Sequence, residues 1–165
     1  MSTLLRVGRR ACSTSTFRFA SASSKKPCLR AAADEAYALA AAQLPAEPRL
    51  ILLFSSASGS HSEAAALSSR WPAAALLGCV DNGERAAATM STTVLAGCLP
   101  DSASAQSFHV EGPTLPSELD AETALRPGAP PMNVLLLAAR GHSLSSHLAA
   151  LDVAFPQGVK VGAGG

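Results

Sequence analysis

The sequence has few aromatic residues and lacks the long apolar run of a membrane span. Only 4% of its 165 residues are aromatic, although 48% are hydrophobic, so alanine, leucine and valine must supply most of the core. No uncharged apolar segment reaches the roughly 18 residues that a transmembrane helix requires. We therefore expect a globular chain without integral membrane association.

Cysteines are also scarce, and none of them forms a CxxC pair. A disulfide framework or a structural zinc site needs more cysteines at closer spacing. We expect separate, reduced thiols and no metal or other cofactor. The four positions are Cys12, Cys28, Cys79 and Cys98.

Acidic residues are absent from the start of the chain. Residues 1–30 hold seven of the 13 basic residues and no acidic one, whereas residues 31–165 hold six basic and 12 acidic residues. An acidic body argues against nucleic acid as a partner, because phosphate contacts need clustered Lys and Arg.

Residues 1–27 have the composition of an organellar transit peptide, rich in Arg and Ser and poor in acid. Arg18-Phe19 before Ala20-Ser21 resembles a processing site. We expect residues 1–27 to be disordered, to lie outside the fold and to direct the chain to the mitochondrial matrix. A plastid address and a plain disordered tail remain alternatives.

Two segments, residues 48–83 and 131–165, resemble each other. Each has an apolar run, a short helical segment, an aromatic-Pro pair and a second apolar run ending near glycine. Leu50–Phe54 matches Asn133–Leu137 at an offset of 83 residues, and Trp71-Pro72 matches Phe155-Pro156 at 84. We interpret the segments as two strand–helix–strand units.

Between and before these units the pattern predicts further elements. Residues 28–47 form an N-terminal helix of the domain, strands are predicted near residues 89–95 and 106–110, and five prolines make residues 111–131 irregular. The predicted fold class is α/β, with a mixed sheet built on the two related units and helices packed on it.

The loops after the first apolar run and after the second are the best candidates for a binding site. In open α/β sheets, ligands gather outside the carboxyl ends of the strands. The candidate ligand-binding residues are Ser55, Ser56, His61, Gly78, Cys79 and Asp81.

Three other chemistries are weaker. Ser55 or Ser56 with His61 and Asp81 could form a nucleophilic triad, but no G-x-S-x-G elbow is present. His142 and His147 are five residues apart, not the four of a helical metal pair, and are expected at the surface. The glycines at residues 162–165 lack the helix that would follow them in a dinucleotide site. We therefore expect no catalytic residues and no enzyme.

Residues 48–165 resemble the N-terminal region of the FIST domain (F-box and intracellular signal transduction) family. The matching residues are Leu50–Phe54, Trp71-Pro72, Leu77-Gly78-Cys79, Val94-Leu95, Asn133–Ala138, Leu151-Asp152, Phe155-Pro156 and Val161–Gly165. The resemblance implies an incomplete FIST-type domain, because the C-terminal half of the family's domain has no counterpart here.

The resemblance also implies a function. FIST domains are regarded as sensory modules of signal transduction that bind small metabolites such as amino acids. The expected function is therefore a non-enzymatic, small-ligand-binding module in mitochondria. The alternative is a protein-interaction module that recruits substrates or partners, as in F-box-associated FIST domains.

Overall fold

The computed structural model describes residues 2–9, 16–56, 61–80, 90–101, 103–110, 132–138 and 145–163. The chain divides into two compact units. Unit 1 comprises residues 1–14 and 101–165, and unit 2 comprises residues 15–100. Each unit contains one four-stranded mixed sheet, so the fold class is α/β.

Unit 2 has the strand order β2-β5-β3-β4. Strands β3 and β4 are parallel, and β5 is antiparallel to both β3 and β2. Two helices lie before and after β3 in the chain. The elements are β2 (Arg18–Ser24), α1 (Leu29–Ala41), β3 (Leu50–Ser55), α2 (His61–Ser68), β4 (Ala75–Val80) and β5 (Thr92–Cys98).

The core of unit 2 is built from small side chains on α1 and branched side chains on the strands. Helix α1 packs on β2 and β5, and it buries alanines at helical spacing. These alanines let the helix approach the sheet closely. The larger core residues are Leu29, Ile51, Leu53, Leu67, Trp71 and Val94.

Trp71 lies just after α2 and is buried against the helix layer. Its ring stacks on that of Tyr37, with 4.7 Å between the centroids. The backbone N–H of Ala74 donates to the Trp71 carbonyl, closing a turn that leads into β4. Trp71 therefore holds the connection between α2 and β4 in place, through the packing of its ring and through its backbone hydrogen bond.

Unit 1 has the strand order β6-β1-β7-β8. Strands β7 and β8 are parallel, and β1 is antiparallel to both β7 and β6. Leu151 of the helix and Phe155 after it are buried, as are Val134 and Leu136 of the sheet. The elements are β1 (Ser2–Arg9), β6 (Ala103–Val110), β7 (Met132–Ala138), α3 (Ser145–Ala154) and β8 (Lys160–Ala163).

The two parallel pairs have the same register. Leu53 of β3 lies opposite Gly78, and Leu136 of β7 lies opposite Gly162. These partners are related by the offsets of 83 and 84 residues. Phe155 also accepts a backbone hydrogen bond from the residue three positions later, as Trp71 does. The strand–helix–strand layout is therefore the same in both units.

The structure differs from the sequence-based fold in two respects. The two strand–helix–strand units do not share one sheet, because each is completed by its own antiparallel pair of strands. The expectation of disorder across residues 1–27 is also wrong for β1 and β2, which both lie in that range. Both strands are paired with apolar strands, which gives a Ser- and Arg-rich segment a place in a sheet.

Element boundaries otherwise move by a few residues. The N-terminal helix predicted within residues 28–47 spans Leu29–Ala41, and the strand predicted near residues 89–95 begins at Thr92. The irregular connection at residues 111–131 lies outside the described residues. Among the helices that the structure describes, none is long and apolar enough to cross a membrane.

Candidate functional site

The carboxyl ends of β3 and β4 lie at one edge of the unit 2 sheet, because these strands are parallel. Strand β5 runs in the opposite direction, so its first residue reaches the same edge. Strand β2 ends there too. The last row of the sheet consists of Ser24, Thr92, Ser55 and Val80, from β2, β5, β3 and β4.

Three neighbouring members of this row carry hydroxyl groups, and all three are buried. Ser24 is 3% exposed, Thr92 0% and Ser55 6%. We call Ser24, Thr92 and Ser55 the hydroxyl row. Side chains alternate along a strand, so Ser55 faces the same side as Ile51 and Leu53 and continues the core into polar residues.

Ser55 and Thr92 form a hydrogen bond of 2.6 Å between their side-chain oxygens, and either hydroxyl can be the donor. A buried hydroxyl without a hydrogen-bond partner costs about 1–3 kcal/mol. Because Ser55 and Thr92 bond each other, both hydroxyls have a partner at the end of the core. The bond also ties β3 to β5 where their ladder finishes.

One residue further on, Ser56 and Ser91 continue this connection. The Ser56 N–H donates to the Ser91 carbonyl at 2.9 Å, and the Ser91 N–H donates to the Ser56 Oγ at 3.0 Å. The two strand ends are therefore held together beyond the last regular pair. The arrangement gives the edge a fixed backbone.

At the other end of the row, Ser24 donates a short hydrogen bond to Glu35 Oε2 on α1. The second oxygen, Oε1, lies 3.3 Å from Lys26 Nζ. The Ser24 hydrogen bond lowers the pKa of the Glu35 carboxyl; burial opposes this effect, and Lys26 adds to it. A hydroxyl, a carboxylate and an ammonium group therefore meet beside the hydroxyl row.

Gly78 is required where β4 passes β3. A Cβ built on Gly78 would lie 2.3 Å from the Leu53 carbonyl oxygen, which is a clash with backbone. Gly78 thus sets the spacing of the two parallel strands and contributes no functional group.

Cys79 is exposed and lies opposite Phe54. Phe54 is exposed as well. Partial removal of the sulfur from water disfavours the charged thiolate and raises the pKa of the Cys79 thiol. A thiol held in its neutral form is a poor nucleophile and a poor metal ligand. It offers only weak hydrogen bonding.

The remaining two candidates are placed only in part. His61 is the first residue of α2 and lies five residues beyond Ser56; residues 57–60 between them are outside the described residues. Asp81 lies outside the described residues. The sheet therefore brings Ser55, Ser56, Gly78 and Cys79 to one edge, and the Ser–His–Asp triad stays an untested combination.

Sequence reasoning missed Ser24, Lys26, Glu35 and Thr92. The first two lie in the segment that the composition predicts to be a disordered leader, and the sequence pattern predicts Thr92 only as part of a strand. A usable signal is present in the sequence: β2 ends with Ser23-Ser24 and β5 begins with Thr92-Thr93, and these two ends pair with each other. Recognising it required the antiparallel register.

The histidine expectation needs one correction. His147 is buried on α3 at 6% exposure, where a surface position was expected, because it lies four residues before the fully buried Leu151 on the same helical face. His142 lies outside the described residues. In the described part of the chain, no group of three or more His, Cys, Asp or Glu residues could hold a metal ion.

Neither a protein-family model, nor a curated protein, nor a solved structure matches the chain. The resemblance to FIST domains therefore stays a hypothesis that the residues alone support.

Proposed function

We propose that this chain is a non-enzymatic sensory module that binds a small zwitterionic metabolite, such as an amino acid, at the hydroxyl-row edge of unit 2. The observation that carries the proposal is the meeting of Ser24, Lys26 and Glu35 at the end of this row. Lys26 and Glu35 present opposite charges side by side.

The charges match the ligand class. An amino acid carries a carboxylate and an ammonium group a short distance apart, and each needs a partner of opposite sign when it leaves water. Lys26 and Glu35 pair with each other in this structure at 3.3 Å. A ligand would replace that pair by two charge-assisted hydrogen bonds of the same kind.

The hydroxyls supply the rest of the site. Ser24 already donates to Glu35, and its oxygen accepts from the Lys26 backbone N–H at 3.2 Å. A ligand that engages Glu35 would therefore also alter the position of Ser24 and of the connection between β2 and α1. This coupling gives the sensory step a physical route, since α1 covers β2 and β5.

Thermal unfolding of the full chain against a panel of amino acids tests the proposal. A ligand that binds only the folded state stabilises it by about 2.7 kcal/mol at one hundred times its dissociation constant. We expect one or more amino acids to raise the melting temperature saturably. The corresponding amines and carboxylic acids alone should have weaker effects.

Two variants localise any such effect. Lys26→Gln and Glu35→Gln should each abolish the shift, and Lys25→Gln is the matched control because Lys25 is an exposed neighbour without an assigned role. A panel without any stabilising compound would overturn the proposal. So would a shift that survives both charge-removing substitutions.

A protein-interaction function is the second candidate, and two exposed aromatic residues favour it. Phe19 is 52% exposed and Phe54 is 42% exposed. Their partners on β5, Gly97 and Thr93, are four positions apart, so both rings lie on the same face of the sheet. Capture of a partner protein that is lost in Phe54→Ser, with no response to small molecules, would favour this function over the first.

We further propose that residues 1–27 direct the chain to the mitochondrial matrix, on the strength of their basic, acid-free composition. A reporter fused behind residues 1–27 should be imported by mitochondria, and the same reporter without these residues should stay in the cytosol. A reporter that stays in the cytosol with residues 1–27 in front of it would exclude this assignment.

A further inference from the structure

Strand β1 is one of the two inner strands of the unit 1 sheet and is far in sequence from both strands that it pairs with. We call β1, and its equivalent β5 in unit 2, the central strands. In unit 2, the central strand β5 follows β4 directly, after the connection at residues 81–91. In unit 1, the central strand β1 comes from the other end of the chain, and all of unit 2 lies between it and β6. No connection inside unit 1 ties β1 to the strands that it pairs with.

Strand β1 nevertheless occupies the same position as β5. Val94 lies opposite Leu53 on β3, and Leu4 lies opposite Leu136 on β7. Because Leu53 and Leu136 are equivalent in the repeat, Leu4 is the counterpart of Val94. Both central strands also pair antiparallel with an edge strand on their other side.

The two central strands are similar in sequence as well as in register. Ser2-Thr3-Leu4-Leu5 of β1 corresponds position by position to Thr92-Thr93-Val94-Leu95 of β5. Each has two hydroxyl residues followed by two aliphatic ones. The place between β6 and β7, which we call the strand slot, is therefore filled by a strand of the same pattern as β5.

We propose that the strand slot accepts Ser2–Arg9 from a second copy of the chain, so that two copies associate by exchanging β1. The exchanged strand makes the same backbone hydrogen bonds to β6 and β7 in either case, eight paired residues on one side and seven on the other. Exchange of an identical element adds no new interface and is a low-cost route to a dimer. The connection through unit 2 permits the exchange, since β1 has no short loop to either neighbour.

Cysteine cross-linking in register tests the exchange. Leu5 lies directly opposite Leu135 in the antiparallel pair. Opposed residues in such pairs have Cα atoms about 4.5–5.5 Å apart, within the range of a disulfide. We would place Leu5→Cys in one full-length chain and Leu135→Cys in another, after replacing the four native cysteines by alanine.

The two chains are unfolded together, refolded together at high concentration and oxidised. A disulfide between them can form in register only when the strand of one copy occupies the slot of the other. We expect a reducible species of twice the 16.7 kDa mass of the chain. The matched control mixes Leu4→Cys with Leu135→Cys, because a shift of one residue places the two side chains on opposite faces.

The outcomes are distinct. Cross-linking of the in-register mixture at several times the level of the control supports exchange. Equal cross-linking in both mixtures, or none in either, overturns it. A single chain carrying both Leu5→Cys and Leu135→Cys provides a second measurement that does not depend on mixing: exclusively intramolecular disulfides at every protein concentration would also overturn the exchange.

Discussion

Units 1 and 2 have the same sheet order and strand directions, but they differ in the residues at the end of the sheet. In unit 2 the last row holds Ser24, Thr92 and Ser55. The corresponding positions of unit 1 are Val110, Ser2 and Ala138. Two of the three hydroxyls are therefore replaced by apolar side chains in unit 1.

The difference separates what the layout requires from what a site requires. Apolar runs and an aromatic-Pro turn recur in both units, so they belong to the layout that the two units share. The full hydroxyl row, with Lys26 and Glu35 beside it, occurs in unit 2, whereas the matching row of unit 1 keeps a hydroxyl only at Ser2. The polar edge is therefore additional to the fold, which is why we place the function there.

The largest expected effect tests whether the two aromatic anchors are equivalent. Trp71→Ala should lower the free energy of unfolding by about 3–5 kcal/mol, because it removes a buried ring and leaves a cavity beside Tyr37. Phe155→Ala should act in the same range on unit 1, where the ring is 5% exposed. Denaturant unfolding followed by circular dichroism measures both.

Trp71→Phe is the control for ring size and should be much milder than Trp71→Ala. A loss below about 1 kcal/mol for Trp71→Ala would show that the ring is not a core anchor. A large loss for one anchor alone would show that the two units do not depend on their aromatic turns in the same way.

Gly78→Ala tests the close approach of β3 and β4. The added methyl group would lie 2.3 Å from a backbone carbonyl, so the strands must separate, at a cost of about 1–3 kcal/mol. Cys79→Ala, at the neighbouring exposed position, is the matched control and should change stability little. If Gly78→Ala were as stable as the control in thermal unfolding, the spacing of this strand pair would not depend on glycine.

The sequence predicted the elements of both units better than it predicted their assembly. Apolar periodicity identified β3, β4 and β7, because a buried parallel strand is a short continuous apolar run. It could not show that each unit completes its own sheet, since antiparallel partners such as β1 and β2 come from distant parts of the chain. The register between strands that are distant in sequence cannot be read from the local pattern of residues.

The same limit applies to the residues of the candidate site, whose role in binding stays a prediction. Ser55, Ser56, Gly78 and Cys79 follow from the rule that parallel strands end at one edge, and the structure places them there. Ser24 and Glu35 do not follow from it, because the basic composition of residues 1–27 indicated a leader and hid a strand. A segment can have both a targeting composition and a strand pattern.

A smaller effect distinguishes the two sheet ends directly. Ser55→Ala gives unit 2 the alanine that unit 1 has at the equivalent position, Ala138, and removes the bond to Thr92. We expect a loss of about 1–3 kcal/mol, because Thr92 is fully buried. Adding Thr92→Val should recover much of it, since two apolar groups leave no unsatisfied hydroxyl.

A double-mutant cycle by chemical denaturation measures this coupling. Ser23→Ala is the control, because the Ser23 hydroxyl bonds Thr93 at 2.8 Å at an exposed position on the other face. Additive losses for Ser55→Ala and Thr92→Val would mean that the two hydroxyls do not depend on each other, and the hydroxyl row would lose its physical basis.

The smallest effect is a pH dependence specific to unit 2. The Ser24 hydrogen bond keeps the pKa of Glu35 below its ordinary value of 4.5, so ionised Glu35 favours the folded state. Its contribution is present above pH 4.5 and is lost as the pH falls through the lower pKa of the folded chain. Ser24→Ala should bring the pKa back toward 4.5 and flatten the stability profile in this acidic range, as followed by the fluorescence of Trp71, the single tryptophan.

In unit 1 the equivalent of Ser24 is Val110, so Val110→Ala should leave the acidic slope unchanged. Identical slopes for the wild type and Ser24→Ala would mean that Glu35 titrates independently of the hydroxyl row. The Lys26–Glu35 pair would then not depend on the row of hydroxyls that distinguishes unit 2 from unit 1.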